Sequence, residues 1–278
     1  MRGKCFIATI NRVLGKDGVN GPMRAHPLQQ SPQFARALAA YGTPLRSTAP
    51  VVLSRRFAPF GTVDFASRLR VEDLHLRPHL LNLEAPAPAA MRRAGYVQIL
   101  TAAHVADWDL TVPDLRAAMH PKWRNQLRKG AAAGLDLRIT GWSGAAHPLF
   151  AHAEAQARAR RYRAYPTALL QHFARANPGA ALLAEARAGV ALVAACLVLR
   201  HGPVATYQTA WASAGGLACN APRVLLTHVA EHLQTLGHST FDLGMIETDH
   251  APGLARFKLG TGATPRALGG TWLALPWR

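Results

Sequence analysis

The sequence predicts an α/β (α+β) fold built on mixed, twisted sheets flanked by helices, and three observations carry that reading. Apolar segments of strand length alternate with 3.6-period helical segments along the chain. Most links between strands are short turns marked by Gly and Pro rather than helix-length crossovers, which favours mixed over purely parallel sheets. With 278 residues, 49% apolar and 17% charged, the chain has material for two cores without a disulfide or metal staple.

Taken in order, residues 1–22 hold four glycines and a Pro without a sustained period and read as a loose N-terminal extension. Ser31 is an N-cap, Pro32 fits the first helical position, Phe34, Leu38 and Tyr41 form a stripe, and Gly42 ends the helix. Residues 51–57 and 63–69 read as strands, 74–83 and 87–94 as helices, and 96–100 as a strand. A polar stretch at 107–114 then separates an N-terminal domain, 23–115, from a C-terminal domain, 116–278.

The second domain opens on a basic helix at 121–133 stopped by Gly134, followed by a strand at 135–140 and helices at 145–162 and 166–176. Segments 181–186, 190–199 and 204–211, joined by Arg-Ala-Gly and His-Gly-Pro turns, read as an antiparallel meander. A helix at 221–236, a strand at 240–243, a short helix at 252–259 and a last strand ending at Leu273 complete the pattern.

Composition excludes several classes. Lys and Arg number 32 against 15 Asp and Glu, a net charge of +17, yet only five of the 32 are lysines and the arginines are spread over the chain. That diffuse excess reads as compositional, so the informative charges are those that cluster. A non-catalytic nucleic-acid-binding module would interleave aromatic with basic residues, but aromatics are 7% and the basic helix holds only Trp123. No apolar run reaches the ~18 residues of a membrane span, and the apolar stretch at 5–10 is followed by no small-residue cleavage site. A cytoplasmic protein is therefore expected. Cys5, Cys196 and Cys219 show no metal or disulfide spacing and are expected as buried apolar side chains.

Two clusters carry chemistry. In His120-Pro-Lys122-Trp-Arg124-Asn125-Gln-Leu-Arg128-Lys129, one side of a helix is cationic while Trp123 and Leu127 form an apolar side, a pattern suited to phosphate or carboxylate. Further on, the strand at 240–243 ends near Asp242, a polar loop carries Glu247, Asp249 and His250, and a short helix presents Phe257 and Lys258 before Gly260 and Gly262. His228, Glu231 and His232 fit a zinc-hydrolase HxxEH spacing. Such a site needs a further acidic ligand downstream, and only Asp242, Glu247 and Asp249 remain. The polar face of an amphipathic helix accounts for them, and no metal is expected.

Together these clusters resemble the FemAB-like branch of the GNAT acyltransferase superfamily. That family's basic helix, K-x-R-N-x-(I/L)-R-K-A-x-x-x-G, is similar to Lys122 through Gly134 here, with Gly130 in place of the usual Ala. Its D-L-G and G-L-x-x-F-K-x-x-x-G patterns are similar to Asp242-Leu243-Gly244 and to Gly253 through Gly262, and its Q-S-P-x-(F/W) opening to Gln30 through Phe34. The resemblance spans about residues 28–275. It implies tandem GNAT-like domains and an N-acyltransferase, such as an N-acetyltransferase, that moves an acyl group from acyl-CoA or acetyl-CoA to a small-molecule amine. Fem-type relatives, which transfer an amino acid from aminoacyl-tRNA to a peptidoglycan precursor or other amine, are the alternative, with tRNA then a partner. The usual GNAT pyrophosphate loop is absent; Gly215, Gly216 and Asn220 precede a helix in its place.

These residues define an expected site. Lys258 and Phe257, by resemblance, lie at the reacting carbonyl, with Asp242 and Glu247 beside them; Lys258 stabilises developing negative charge or the leaving group. Gly215, Gly216 and Asn220, with Lys122, Arg124, Asn125, Arg128 and Lys129 of the basic helix, receive phosphates of the donor or acceptor. Acyl transfer to an amine requires no metal.

Overall fold

In the computed structural model, which describes residues 25–59, 61–249 and 251–275, helix α1 (Pro32–Ala40) begins where the Ser31 hydroxyl accepts from the Phe34 amide at 3.1 Å. The extension expected at 1–22 lies outside the described residues. Strands β1 (Leu45–Thr48), β2 (Val51–Phe57), β3 (Gly61–Leu69), β4 (Leu80–Leu83) and β5 (Tyr96–Leu100) follow, with α2 (Pro88–Arg93) before β5. The helix expected at 74–83 does not form. A 3-10 turn at Val71–Leu76 ends at Arg77, whose φ is 45°, and β4 follows. Pro78 forces that break, because a proline disfavours helical geometry in the residue before it.

Next come β6 (His104–Asp109), α3 (Pro121–Ala131), β7 (Asp136–Gly141), α4 (Pro148–Arg160) and α5 (Thr167–Ala176). The meander is β8 (Ala181–Ala188), β9 (Ala191–His201) and β10 (Val204–Ala212). Then follow a one-turn helix α6 (Ala214–Ala218), α7 (Ala221–Thr235), β11 (Thr240–Ile246), α8 (Pro252–Leu259), β12 (Thr264–Ala267) and β13 (Thr271–Ala274).

The strands make two mixed sheets, in the orders β1-β2-β3-β4-β13-β5 and β12-β6-β11-β10-β9-β8-β7. The sheets exchange strands across the expected division at 115/116: β6 joins the second sheet and β13 returns to the first. Neither sheet is complete without chain from the other side of that point. Between α3, α7 and one face of the second sheet lies a core that includes Trp108, Trp123, Leu127, Leu225 and Phe241. On its other face α1, α4 and α5 bury Phe34, Leu38, Phe150, Leu170 and Leu197. A third core, with Leu69, Leu81, Met91 and Trp272, belongs to the first sheet. No described helix is long and apolar enough to cross a membrane.

Candidate active site

The second sheet opens at its middle. Strands β10 and β11 are parallel neighbours, paired at Val204 with Thr240, Ala205 with Phe241 and Thr206 with Asp242. Beyond those pairs both strands bulge, β10 between Tyr207 and Thr209 and β11 between Asp242 and Met245. Each strand follows its outer partner, so the backbones at 207–212 and 243–246 do not pair across the gap. A bulge adds a residue to one strand and turns it away from its neighbour. The result is a wedge within the sheet whose two walls carry strand-edge amides and carbonyls.

Lys258 stands at this wedge. From the last turn of α8 its ammonium donates to the Met245 carbonyl of β11 at 2.7 Å, and the residue is 7% exposed. Burial pushes its pKa down to about 8, against the opposing pull of Asp242. A short helix thus delivers a poorly solvated cation to the parted strand.

Asp242, expected beside Lys258, lies in a buried ion-pair network. One carboxylate oxygen accepts from Arg68 Nη1 at 2.7 Å and the other from the Gly244 amide at 2.7 Å, and the residue is buried. Arg68 also forms a bidentate pair with Glu84, at 2.6 and 3.1 Å. Arg266 completes the network, donating to Asp107 at 2.6 Å, to the Glu84 carboxylate at 3.0 Å and to the Glu84 backbone carbonyl at 3.0 Å. Burial alone would lower the Arg68 pKa, but Asp242 and Glu84 outweigh it and the pKa is raised. Asp107 is raised, chiefly by burial, with Arg266 opposing. The five groups tie β3 and the chain after β4 to β6, β11 and β12, so Asp242 anchors the strand that Lys258 reads. Beside it, His201 Nε2 meets Thr206 Oγ1 at 2.8 Å, and burial pushes its pKa down to about 4.

The basic helix α3 buries Trp123 and Leu127 and exposes Lys122, Arg124, Asn125, Arg128 and Lys129, as its spacing predicts. Arg124 donates to the Ala117 carbonyl at 3.0 Å and Arg128 to Asn125 at 3.1 Å. The structure brings α3 to both other predicted segments. Trp123 and Phe257 lie 4.9 Å apart between ring centroids, and Gly130 sits against the start of α7. A Cβ at Gly130 would meet Val224 Cγ2 at 2.6 Å, the Cys219 carbonyl at 3.0 Å and Asn220 Cβ at 3.1 Å. The family's usual Ala therefore has no room here.

The amides expected to receive phosphate are largely engaged. Gly216 donates to Ser213 Oγ at 3.0 Å and packs so closely on β9 that a Cβ would lie 2.1 Å from the Val193 carbonyl. Asn220, at φ 60°, occupies the N-cap position of α7, but its side chain caps no amide and accepts instead from Arg223 Nη1 at 3.0 Å. Arg223 was not singled out from sequence. Its guanidinium carbon lies 5.2 Å from the Trp123 ring and 5.8 Å from that of Phe257, its Nε has no partner among the described residues, and burial lowers its pKa. An arginine in the first turn after an Asn-Ala-Pro helix start was the available signal.

Glu247 is exposed, accepts from the Asp249 amide at 3.2 Å, and forms no hydrogen bond or ion pair with Lys258. His250 lies outside the described residues. Glu231 of the HxxEH spacing is taken by Arg116 at 2.6 Å, and no group of three His, Cys, Asp or Glu among the described residues is placed to hold a metal. Cys196 is buried with its thiol pushed up to about 12 by burial, Cys219 is partly buried, and Cys5 lies outside the described residues.

Residues 118–265 match the sequence model of a family described as an acetyltransferase (GNAT) domain. Among solved structures, the chain is similar to FemX with a TM-score of 0.70 at 10% identity, over 95% of this chain and 94% of that one. It is also similar to a C-terminal domain assigned to lysylphosphatidylglycerol synthetase from Agrobacterium fabrum, with a TM-score of 0.58 at 14% identity, covering 89% of each chain. L-PGS from Bacillus licheniformis gives 0.52 at 12% identity, over 90% and 93%. No curated protein sequence matches.

Proposed function

Because the chain belongs to the GNAT acetyltransferase family, we propose that it transfers an acyl group from acyl-CoA to an amine, with the wedge between β10 and β11 as the donor's seat. The observation that carries this reading is the pair of facing strand edges at 207–212 and 243–246 beside a buried lysine. An extended, amide-bearing arm such as that of CoA satisfies such edges by backbone-like hydrogen bonds, as an added strand does. Its phosphates then reach the start of α7, where Arg223 and the outer face of α3 supply positive charge.

In this reading Lys258 holds its proton below about pH 8 and faces the oxyanion that develops when the amine attacks the carbonyl. Phe257 and Trp123 shape the apolar wall that keeps α8 in place, and Asp242 positions β11 through Arg68 and the Gly244 amide. The amine must arrive neutral. Glu247 is the exposed carboxylate of the neighbouring loop, able to accept its proton directly or through water.

Aminoacyl-tRNA is the second donor to consider, favoured by the whole-chain likeness to FemX and by the net charge of +17. Melting of the full chain with acetyl-CoA, long-chain acyl-CoA and charged tRNA separates the two, since a ligand bound to the native state raises its melting temperature. Stabilisation by acyl-CoA is expected, with a weaker dependence on salt than tRNA would show. Stabilisation by charged tRNA alone, falling steeply with salt, would overturn the choice of donor.

A further inference from the structure

A second charged site lies on the opposite face of the second sheet from α3 and α7. The C-terminal end of α4, the loop at 161–166 and the start of α5 enclose a cavity of about 420 Å³ whose floor reaches Thr209 of β10. Thr209 lies three residues past Thr206, the last position at which β10 pairs with β11, so the cavity meets the sheet where the wedge has opened.

Its walls are cationic and aromatic. Arg158, Arg161 and Arg163 line it as exposed side chains, and their guanidinium groups have no hydrogen-bond or ion-pair partner among the described residues. Phe150, Tyr162 and Tyr165 supply apolar surface, with Tyr165 anchored by Gln29 at 3.3 Å. One carboxylate, Glu154, also faces the cavity, fixed by the Thr167 hydroxyl at 2.5 Å. Three arginines against one carboxylate leave the hollow net positive, and the arginine fork suits phosphate or carboxylate oxygens. Glu154 is placed for a positive group on the same ligand.

We propose that this cavity binds the acceptor, and that the acceptor is an amine whose body carries an anionic group, phosphate or carboxylate, beside a planar or apolar portion. Calling the ligand an acceptor rests on the acyltransferase reading; the binding of an anion in the cavity does not. With donor phosphates on the α7 face and the anion of the acceptor on the α4 face, the two substrates meet through the wedge from opposite sides of the sheet.

Phosphotyrosine, tyrosine and tyramine test this, because they share ring and amine and differ in anionic groups. In calorimetric titration of the full chain, phosphotyrosine is expected to bind at least tenfold tighter than tyramine, with tyrosine showing how much a carboxylate alone contributes. Arg161→Gln with Arg163→Gln should erase that difference while leaving the melting shift with acetyl-CoA unchanged. Ala164→Trp, which fills the hollow without touching charge, should weaken all three probes. Equal binding of phosphotyrosine and tyramine, or tight phosphotyrosine binding that survives Ala164→Trp, overturns the proposal. Selective anion binding by a chain that no acyl-CoA stabilises would instead keep the site and remove the acyl-CoA reading.

Discussion

Arginine is used in two opposite ways in this molecule. Arg68 and Arg266 are closed into carboxylates where the two sheets meet, whereas Arg158, Arg161 and Arg163 ring a cavity with their guanidinium groups unpaired among the described residues. The first group gives up solvation for fixed geometry and holds β11 against β3. A charge in such a setting is costly to leave alone, so its partners depend on it. The second group keeps its water and adds little to the fold. Its capacity to bind is therefore unspent.

Removing one member of the closed network is the most disruptive change expected. Arg68→Ala leaves Glu84 and Asp242 buried without their cation, at a cost of about 3–5 kcal/mol by urea or thermal unfolding. Replacing all three by apolar residues of similar volume should recover much of that loss, since the unpaired charge is then gone. A single Arg68→Ala protein as stable as wild type would mean the network is ornamental to the fold.

Lys258 tests whether the network serves chemistry as well as stability. Lys258→Met removes a buried ammonium, so melting should not fall, while turnover should drop roughly 10²–10³-fold if the cation faces the oxyanion. The pH dependence carries a sign. With a pKa of about 8 the ammonium is lost as pH rises through that value, so the rate should decline above it. An unfolded chain keeps that proton to about 10.4, so the lysine's contribution to stability improves with rising pH over the same interval. In Lys258→Met both trends should vanish. A variant with full turnover would remove Lys258 from the mechanism.

The sequence foretold the local elements better than the way they meet. Ser31, Gly134 and the meander turns declare themselves through caps, positive φ and short links, and the helices and strands they bound are present. The edges of the plan were less visible. Strand β6 reads as a polar stretch because Asp107 pairs with Arg266 on the neighbouring strand β12, 159 residues away in sequence. Strand β4 was hidden in a helical pattern that Pro78 breaks. For the site, α3, Phe257 and Lys258 were legible from residue type and spacing, but Arg223, Arg68 and the parted strands were not. Bulges and long-range ion pairs leave no periodic trace.

Helix α3 stands between the two regimes, charged outside and tightly packed inside. Gly130→Ala gains about 1 kcal/mol of helix propensity but drives a methyl group into Val224 and the Cys219 carbonyl, an overpacking cost of about 1–3 kcal/mol. A net loss of about 1 kcal/mol in urea unfolding is expected, together with a weaker melting shift by acyl-CoA, because the displaced contact is the turn before α7. A gain in stability would show that α3 and α7 separate freely.

The smallest stability effect belongs to the open arginines. Arg158 lies in the last turn of α4, where a cation favours the helix dipole, and one turn after Glu154, yet it is three residues from Arg161, which it repels. Each of these influences is worth a few tenths of a kcal/mol at an exposed site, with opposite signs. Arg158→Gln should therefore change unfolding by less than about 0.5 kcal/mol, against several for Arg68→Ala, and the small change should shrink further in molar salt. The same side chain then gives responses that differ severalfold, because one guanidinium has partners that would be stranded without it and the other has none. A loss at Arg158 comparable to that at Arg68 would mean the cavity rim is structural, and its anions internal.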